Sequence, residues 1–238
     1  MNLTIARITA RGLLGRRRFL LLVPMPILLV GLTALAHGLQ PDEARQWAGP
    51  ILHGFGFAVL LPLIALIVGT GVLGAEIDDG TIVHILTKPL PRRQIVLAKL
   101  AVAVAVTAVV SAVPMFVAGV IADSVRFGLG LALACVVGSI AYCAFFLLLS
   151  LVTRRPVLLG LLYVLLWEGL LGNLLAGTRA LSIEQYVLTI AAKAGDTTLL
   201  ESHVSIQVSI AMSVVFLLAG TLLAIDRLRS FTLTGETS

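Results

Sequence analysis

Long runs of apolar residues alternate with short polar stretches along the whole chain. Six runs are long enough to cross a membrane, because about 20 apolar residues in a helix cover the roughly 30 Å of hydrocarbon in a bilayer. These runs are residues 19–37, 51–73, 95–122, 128–152, 156–176 and 204–225. The pattern predicts an all-α integral membrane protein, with six transmembrane helices forming a single domain over residues 1–238.

The composition supports a membrane location. Of the 238 residues, 59% are hydrophobic and 12% are charged, and the mean hydropathy is +1.07. A soluble domain of this length could not keep so much apolar surface away from water. The net charge of +5 and the pI near 9.8 would suit nucleic acid. The basic residues border the apolar runs instead, so we expect no nucleic-acid partner.

The lysines and arginines indicate the orientation of the chain. With the N-terminus inside, four of the 17 basic residues fall outside, namely Arg45, Arg126, Arg179 and Lys193. The others fall inside, at Arg7, Arg11, Arg16, Arg17, Arg18, Lys88, Arg92, Arg93, Lys99, Arg154, Arg155, Arg227 and Arg229. Because cytoplasmic connections carry the excess of Lys and Arg, both termini are predicted to be cytoplasmic.

Residues 1–18, which precede the first apolar run, are predicted to form a helix on the membrane surface. Arg7, Arg11 and Arg18 share one stripe of a helical wheel, with apolar residues on the other side. Such a helix can contact the anionic lipids of the inner leaflet. The alternative is that these arginines only fix the topology.

The chain contains no recognisable nucleotide-binding or catalytic motif. A P-loop requires Gly-x-x-x-x-Gly-Lys-Ser/Thr, and none of the three lysines is followed by Ser or Thr. We therefore expect that the chain is not an enzyme and holds no cofactor. His37, His53 and His203 fall near the predicted outer face, where a membrane enzyme could bind metal. Their spacing fixes no geometry, so we predict no metal site.

The connection at residues 74–94 is predicted to contain a short amphipathic helix between the second and third spans. Asp78 or Asp79 can cap its start, and Pro89 ends it. Three apolar residues between these ends share one face at i, i+3 and i+4: Ile82, Ile85 and Leu86.

Basic residues come after this predicted helix and mark where the third span re-enters the membrane. Arg92, Arg93 and Lys99 are therefore predicted to lie in the lipid headgroup layer. The apolar face of the helix then suits docking to a partner protein. Alternatively, the helix only completes the turn at headgroup level.

This stretch resembles the corresponding loop of type-2 ATP-binding-cassette (ABC) permeases. The residues that carry the resemblance are Glu76, Gly80, Thr81, Leu86, Pro89, Arg92 or Arg93, and Lys99. The chain departs from the family pattern at Pro91-Arg92, where Ser-Arg is more frequent, and at Ala98-Lys99 in place of Gly-Lys. Six spans, cytoplasmic ends and a long fifth connection extend the resemblance over the chain.

The resemblance implies that this helix is a coupling helix seated in a cleft of a separate ABC ATPase subunit. The residues expected to couple to the ATPase are Glu76, Asp78, Asp79, Gly80, Thr81, Ile82, Ile85 and Leu86. Within this set, Glu76 is the candidate for pinning the helix to the transmembrane body, although it can also simply be solvated.

The resemblance also implies the assembly and its location. Two permease copies, or this chain and a paralogue, would combine with two ATPases that bind ATP and Mg²⁺. The complex is expected to be an exporter in the inner membrane of a prokaryote. Short external connections and few polar residues in the spans suit efflux of a hydrophobic or amphipathic substrate.

An acidic residue within the fifth apolar run is a candidate for the substrate path or its gate. Glu168 lies about 18 Å along the helix from Pro156, and a charge at that depth is costly unless it faces a cavity or a partner. The same path is predicted to include Trp167, Asn173 and Gln207. The alternative for Glu168 is a structural hydrogen bond or protonated packing.

Glu168 also supports an alternative function for the whole chain. An ion- or proton-coupled secondary transporter or channel would use this carboxyl to bind a proton or cation. Such a protein would show ion-dependent flux without any ATPase.

The external connection, residues 177–203, is predicted to contain a second amphipathic helix. Ser182 and Gln185 form a capping box, followed by an apolar face of Ile183, Tyr186, Val187 and Ile190. The resemblance implies that this helix shields the exit of the path. In the last span, small residues recur every four positions and predict close helix packing: Ser205, Ser209 and Ser213.

Overall fold

The described part of the protein is built from helices joined by short connections. The computed structural model describes residues 22–78, 91–171, 181–197, 199–200 and 204–230, apart from the side chains of residues 42, 74–78, 171, 229 and 230. These residues contain no strand. The longest of their helices are strongly apolar.

Helix α1 is Pro24–Leu39, and a 3-10 turn at Pro41–Glu43 leads into α2. Helix α2 is continuous and consists of Ala44–Ala48, the π-helical Gly49–Leu60 and Leu61–Asp78. Helices α3 and α4 are Arg92–Ala122 and Val125–Val152. Helix α5 joins Pro156–Leu162 to the π-helical Tyr163–Leu171, and α6 and α7 are Ile183–Gly195 and Ile206–Ser230.

Four helical stretches of the described residues are long and apolar enough to cross a membrane. They are Ala44–Leu73, Arg92–Ala122, Val125–Val152 and Ile206–Leu228, while the apolar helices Pro24–Leu39 and Pro156–Leu170 are shorter. The predicted all-helical, multi-pass membrane protein is therefore confirmed. The count of six spans and the cytoplasmic position of both ends stay predictions.

Helix α2 begins earlier than the apolar pattern predicts. The pattern places the second run at residues 51–73, but the helix starts at Ala44 and includes the buried Trp47 and Ala48. The indole Nε1 of Trp47 donates a hydrogen bond to the carbonyl oxygen of Gln40, at 3.1 Å. Polar residues can thus continue a helix beyond the apolar run, because hydrophobicity marks the membrane boundary and not the helix boundary.

Helix α4 lies at the centre of the fold and packs against α2, α3, α6 and α7. Glycines allow two of these approaches, because a side chain would have no space there. A Cβ atom added to Gly119 of α3 would lie 2.7 Å from the Cα of Gly128 in α4, and one added to Gly130 would lie 2.4 Å from the backbone nitrogen of Gly195 in α6. Helix α4 is therefore held against its neighbours at backbone distance.

Hydroxyl groups inside the bundle are hydrogen-bonded to their own helices. Ser213 Oγ donates to the Ser209 carbonyl at 2.7 Å, and Ser209 Oγ donates to the Ser205 carbonyl at 3.1 Å. Because these bonds satisfy the hydroxyls without a neighbouring helix, the serines can pack as small side chains. The predicted packing stripe is confirmed for the buried Ser209 and Ser213, whereas Ser205 is exposed.

Helix α6 forms where an amphipathic helix was predicted and is buried on more sides than its apolar face alone. Its apolar face is buried as expected, including Ile183 and Tyr186, but Glu184, Gln185 and Thr189 on other sides are buried too. The predicted helix and its apolar face are therefore confirmed, and the burial of these polar residues is an additional feature. Packing of α4, α7 and the π-helical part of α2 around α6 causes this burial, and no local pattern in residues 183–195 signals it.

Candidate functional site

Glu168 lies in a closed polar cluster near the junction of α4, α5 and α6. Its side chain is 2% exposed. One carboxylate oxygen accepts a hydrogen bond from the hydroxyl of Tyr142 in α4. The other accepts bonds from the hydroxyl of Tyr163 at 3.0 Å and from the backbone N–H of Ile183 at 3.1 Å. Three donors from three helices therefore converge on one carboxyl group.

The π-helical winding of α5 allows Tyr163 to reach Glu168. The two residues are five positions apart, which in a regular α-helix would turn their side chains about 140° away from each other. In a π-helix, where hydrogen bonds join residues i and i+5, such residues lie on the same side. The ring of Tyr163 also packs on Phe145 of α4, with 4.6 Å between ring centroids.

The first turn of α6 receives two caps. The Ser182 hydroxyl oxygen accepts from the backbone N–H of Gln185 at 3.4 Å, and Glu168 accepts from that of Ile183. Both bonds satisfy N–H groups that a helix start leaves without a partner, and an acidic group is favourable there. The predicted capping box is confirmed for its Ser182 half. The buried Gln185 Oε1, which the other half requires, has no hydrogen-bond partner among the described residues.

A second contact fastens the start of α6 to α2. His53 Nε2, in the π-helical part of α2, lies 2.7 Å from Glu184 Oε1. The Glu184 side chain is 3% exposed and that of His53 is 35% exposed. The N-terminal turn of α6 is thus held from α5 through Glu168 and from α2 through His53.

The other residues predicted for the substrate path do not join this cluster. Trp167 is half-buried, and Gln207 is exposed on α7. Asn173, as well as Arg179, lies outside the described residues. The role of Glu168 in a path or gate stays a prediction, and its surroundings match the structural hydrogen bonding considered as the alternative.

The histidines considered as metal ligands contact different partners. His53 binds Glu184, while the ring of His37 packs edge-on against Trp47, with 6.4 Å between centroids. His203 lies outside the described residues. Within the described part of the chain, no group of three His, Cys, Asp or Glu residues is arranged to hold a metal ion.

Near the start of α3, Lys99 has a different position from the one predicted. Its side chain is 1% exposed, and Nζ donates a hydrogen bond to the Val72 carbonyl oxygen of α2 at 2.8 Å. The prediction that Lys99 lies in the headgroup layer was wrong, because the ammonium group is buried between α2 and α3. Arg92 is half-buried and Arg93 is exposed.

Most residues predicted to couple to the ATPase lie outside the described residues. This applies to Asp79, Gly80, Thr81, Ile82, Ile85 and Leu86, and to the surface arginines Arg7, Arg11 and Arg18. The backbones of Glu76 and Asp78 form the last turn of α2, and their side chains are not described. Residues 79–90 thus connect the end of α2 to the start of α3.

Sequence reasoning missed the partners of the candidate residues. It did not connect Glu168 with Tyr142, Tyr163 or the Ile183 N–H. It also did not connect His53 with Glu184, which is 131 positions away. The one available signal was the presence of tyrosines in otherwise apolar runs, since a buried tyrosine hydroxyl needs a hydrogen-bond partner.

Comparison with known proteins identifies the family. The sequence model described as "ABC-2 family transporter protein" matches residues 16–176, more than half of the chain and including α1 to α5. No curated protein matches the sequence. The resemblance seen in the loop after α2 is therefore confirmed over a much longer region, and the chain belongs to the ABC-2 family of transporter proteins.

Proposed function

We propose that this chain is the membrane-spanning permease subunit of an ABC exporter, driven by ATP hydrolysis in a separate ATPase subunit. Family membership supports the transporter class. The observation that supports coupling to an ATPase is the hydrogen bond from Lys99 Nζ to the Val72 carbonyl oxygen. This bond joins α2 and α3 close to the loop 79–90 that connects them.

The buried Lys99 makes this connection a strong one. An ammonium group with 1% exposure is costly inside a membrane protein unless it is hydrogen-bonded or paired. Separation of α2 from α3 would remove the Val72 carbonyl from Lys99 and is therefore disfavoured. A force applied to the loop would then move both helices together, as rigid elements do in switching proteins.

In this proposal the chain itself is not an enzyme and binds no cofactor. The ATPase binds ATP and Mg²⁺ and receives the coupling residues of the loop 79–90. A second copy of the chain, or a paralogue, completes a complex of two permeases and two ATPases in the inner membrane of a prokaryote. Membrane lipids contact the exposed apolar side chains of α1, α5 and α7.

The proposed substrate is hydrophobic or amphipathic and is exported. The described outer surfaces carry many exposed Leu, Ile and Val side chains, for example Leu35, Leu165 and Leu218. An entry route from the bilayer fits such surfaces. The ion-coupled alternative is not favoured, because the Glu168 carboxylate is enclosed by three hydrogen-bond donors.

The proposal is tested by purifying the tagged chain from its host in mild detergent and identifying the proteins that co-purify. We expect an ABC ATPase, which should be lost when Ile82 and Leu86 are both changed to Asp. The matched control is His84→Asp, on the opposite face of the predicted coupling helix, which should retain the ATPase. A chain that purifies alone and supports ion flux in liposomes would contradict the proposal.

A further inference from the structure

We propose that the His53–Glu184 contact is a positioning link through which α2 sets the position of α6 during transport. The inference rests on the proposed function, because α2 is the helix that leads into the coupling loop. It goes beyond that function by naming the residues that carry movement to the outer side. The contact joins His53 Nε2 to Glu184 Oε1 at 2.7 Å.

The two ends of α6 are held in different ways. At the C-terminal end, Gly195 lies against Gly130 of α4 so closely that an added Cβ atom would be 2.4 Å from the Gly195 nitrogen. Backbone packing of this kind leaves no freedom to slide. At the N-terminal end, α2 and α5 hold α6 through the polar groups of His53 and Glu168. The N-terminal end, whose Ile183 and Tyr186 are buried in the bundle, is therefore the end at which polar contacts from α2 and α5 can also change.

Helix α2 is suited to carry movement across the membrane. It is continuous from Ala44 to Asp78, with Lys99 bound at Val72 and His53 in the π-helical segment near the other end. π-Helical segments are uncommon and occur frequently at functional sites. Helix shifts in switching proteins are typically about 1–2 Å. Such a shift lengthens a 2.7 Å contact beyond hydrogen-bond distance.

The burial of the two partners determines the consequence of breaking the contact. The His53 side chain is 35% exposed, so water can replace its partner. The Glu184 side chain is 3% exposed, and a buried carboxylate that loses its partner is unfavourable. The unpaired Glu184 regains water if the start of α6 moves outward. Withdrawal of His53 by α2 therefore favours opening at the N-terminal end of α6.

The test uses hydrogen–deuterium exchange on the complex with its co-purified ATPase in nanodiscs, with and without trapping by ATP and vanadate. Peptides from residues 79–90 report the coupling loop, and peptides from residues 183–190 report α6. We expect both regions to respond in the wild type. In His53→Gln the loop response should stay, while the α6 response falls by about half or more.

Two further variants separate a positioning role from a general loss of structure. The exchanged pair, His53→Glu with Glu184→His, should restore the α6 response. His37→Gln, at the other described outer histidine, should leave it unchanged. An α6 response that is absent in the wild type, or equal in His53→Gln and the wild type, overturns the link. A loop that does not respond to nucleotide, or a missing ATPase, instead overturns the proposed function.

Discussion

Lys99 Nζ and the Val72 carbonyl oxygen are 2.8 Å apart, so an ammonium group of α3 binds the backbone of α2 inside the protein. Nearer its N-terminal end, α2 is bound again through His53 and Glu184. The helix that precedes residues 79–90 is thus attached to different neighbours in its two halves. This arrangement lets changes at either end be tested separately.

Lys99→Met is expected to uncouple transport from ATP hydrolysis without unfolding the protein. The apolar side chain of Met has a similar length and removes the desolvation cost of the buried ammonium group together with its hydrogen bond. The measured quantity is the amount of a fluorescent hydrophobic dye exported per ATP hydrolysed. This ratio should fall by about fivefold or more, because fivefold corresponds to the lower end of typical coupling free energies. Lys99→Arg is the comparison that keeps the charge. A Lys99→Met complex with an unchanged ratio would show that the bond does not serve coupling.

Glu168→Gln is expected to preserve more of the fold than Glu168→Ala. Gln keeps a carbonyl oxygen that can accept from Tyr163 and the Ile183 N–H, whereas Ala leaves these buried donors unpaired at about 1–3 kcal/mol each. Thermal unfolding in detergent measures the difference. If Glu168→Gln also exports the dye normally, the predicted gating role of this carboxyl is wrong and its role is structural.

Tyr142→Phe is expected to lower the free energy of unfolding by about 1–2 kcal/mol. Phe fills the same fully buried position but cannot donate to Glu168. Tyr163→Phe removes a 3.0 Å bond from a ring that is only partly buried and should cost less, because water can reach the site more easily. Melting curves of the two variants, recorded side by side, test this order. The reverse order would mean that Tyr163 is the main donor to the cluster.

Gly130→Ala is expected to lower the free energy of unfolding by about 1–3 kcal/mol, because overpacking forces backbone shifts. The added Cβ would lie 2.4 Å from the nitrogen of Gly195. Gly54→Ala is the control, since no atom lies within 4 Å of its added Cβ and Ala favours a helix over Gly. The melting temperature should fall by several degrees for the first variant and stay level or rise for the second.

Sequence reasoning placed the long apolar helices well and their polar contacts poorly. Helices α3 and α4 begin about three residues before the predicted runs and end at the predicted residues, Ala122 and Val152. The Ser182 cap was also predictable, because capping depends on residues about four positions apart at most. These features are local, and local patterns describe them.

The features that were missed depend on distant parts of the chain. Lys99 comes after a polar stretch, so its sequence position suggests a headgroup site, but its burial results from packing against α2. The contact between Tyr163 and Glu168 depends on a π-helical segment that apolar periodicity does not reveal. The pairing of His53 with Glu184 requires the tertiary fold.

Because α2 is long and unbroken, a small rotation of the whole helix produces a large displacement at its ends. At about 1.5 Å per residue the helix from Ala44 to Asp78 is roughly 50 Å long, against roughly 30 Å of hydrocarbon. Rotation of such a rod by about 5° about its midpoint displaces each end by about 2 Å in opposite directions, and His53, which lies about 12 Å from the midpoint, by about 1 Å. A tilt of this size that moves His53 away from Glu184 would lengthen their 2.7 Å contact to about 3.7 Å, beyond hydrogen-bond distance, without any change inside the helix.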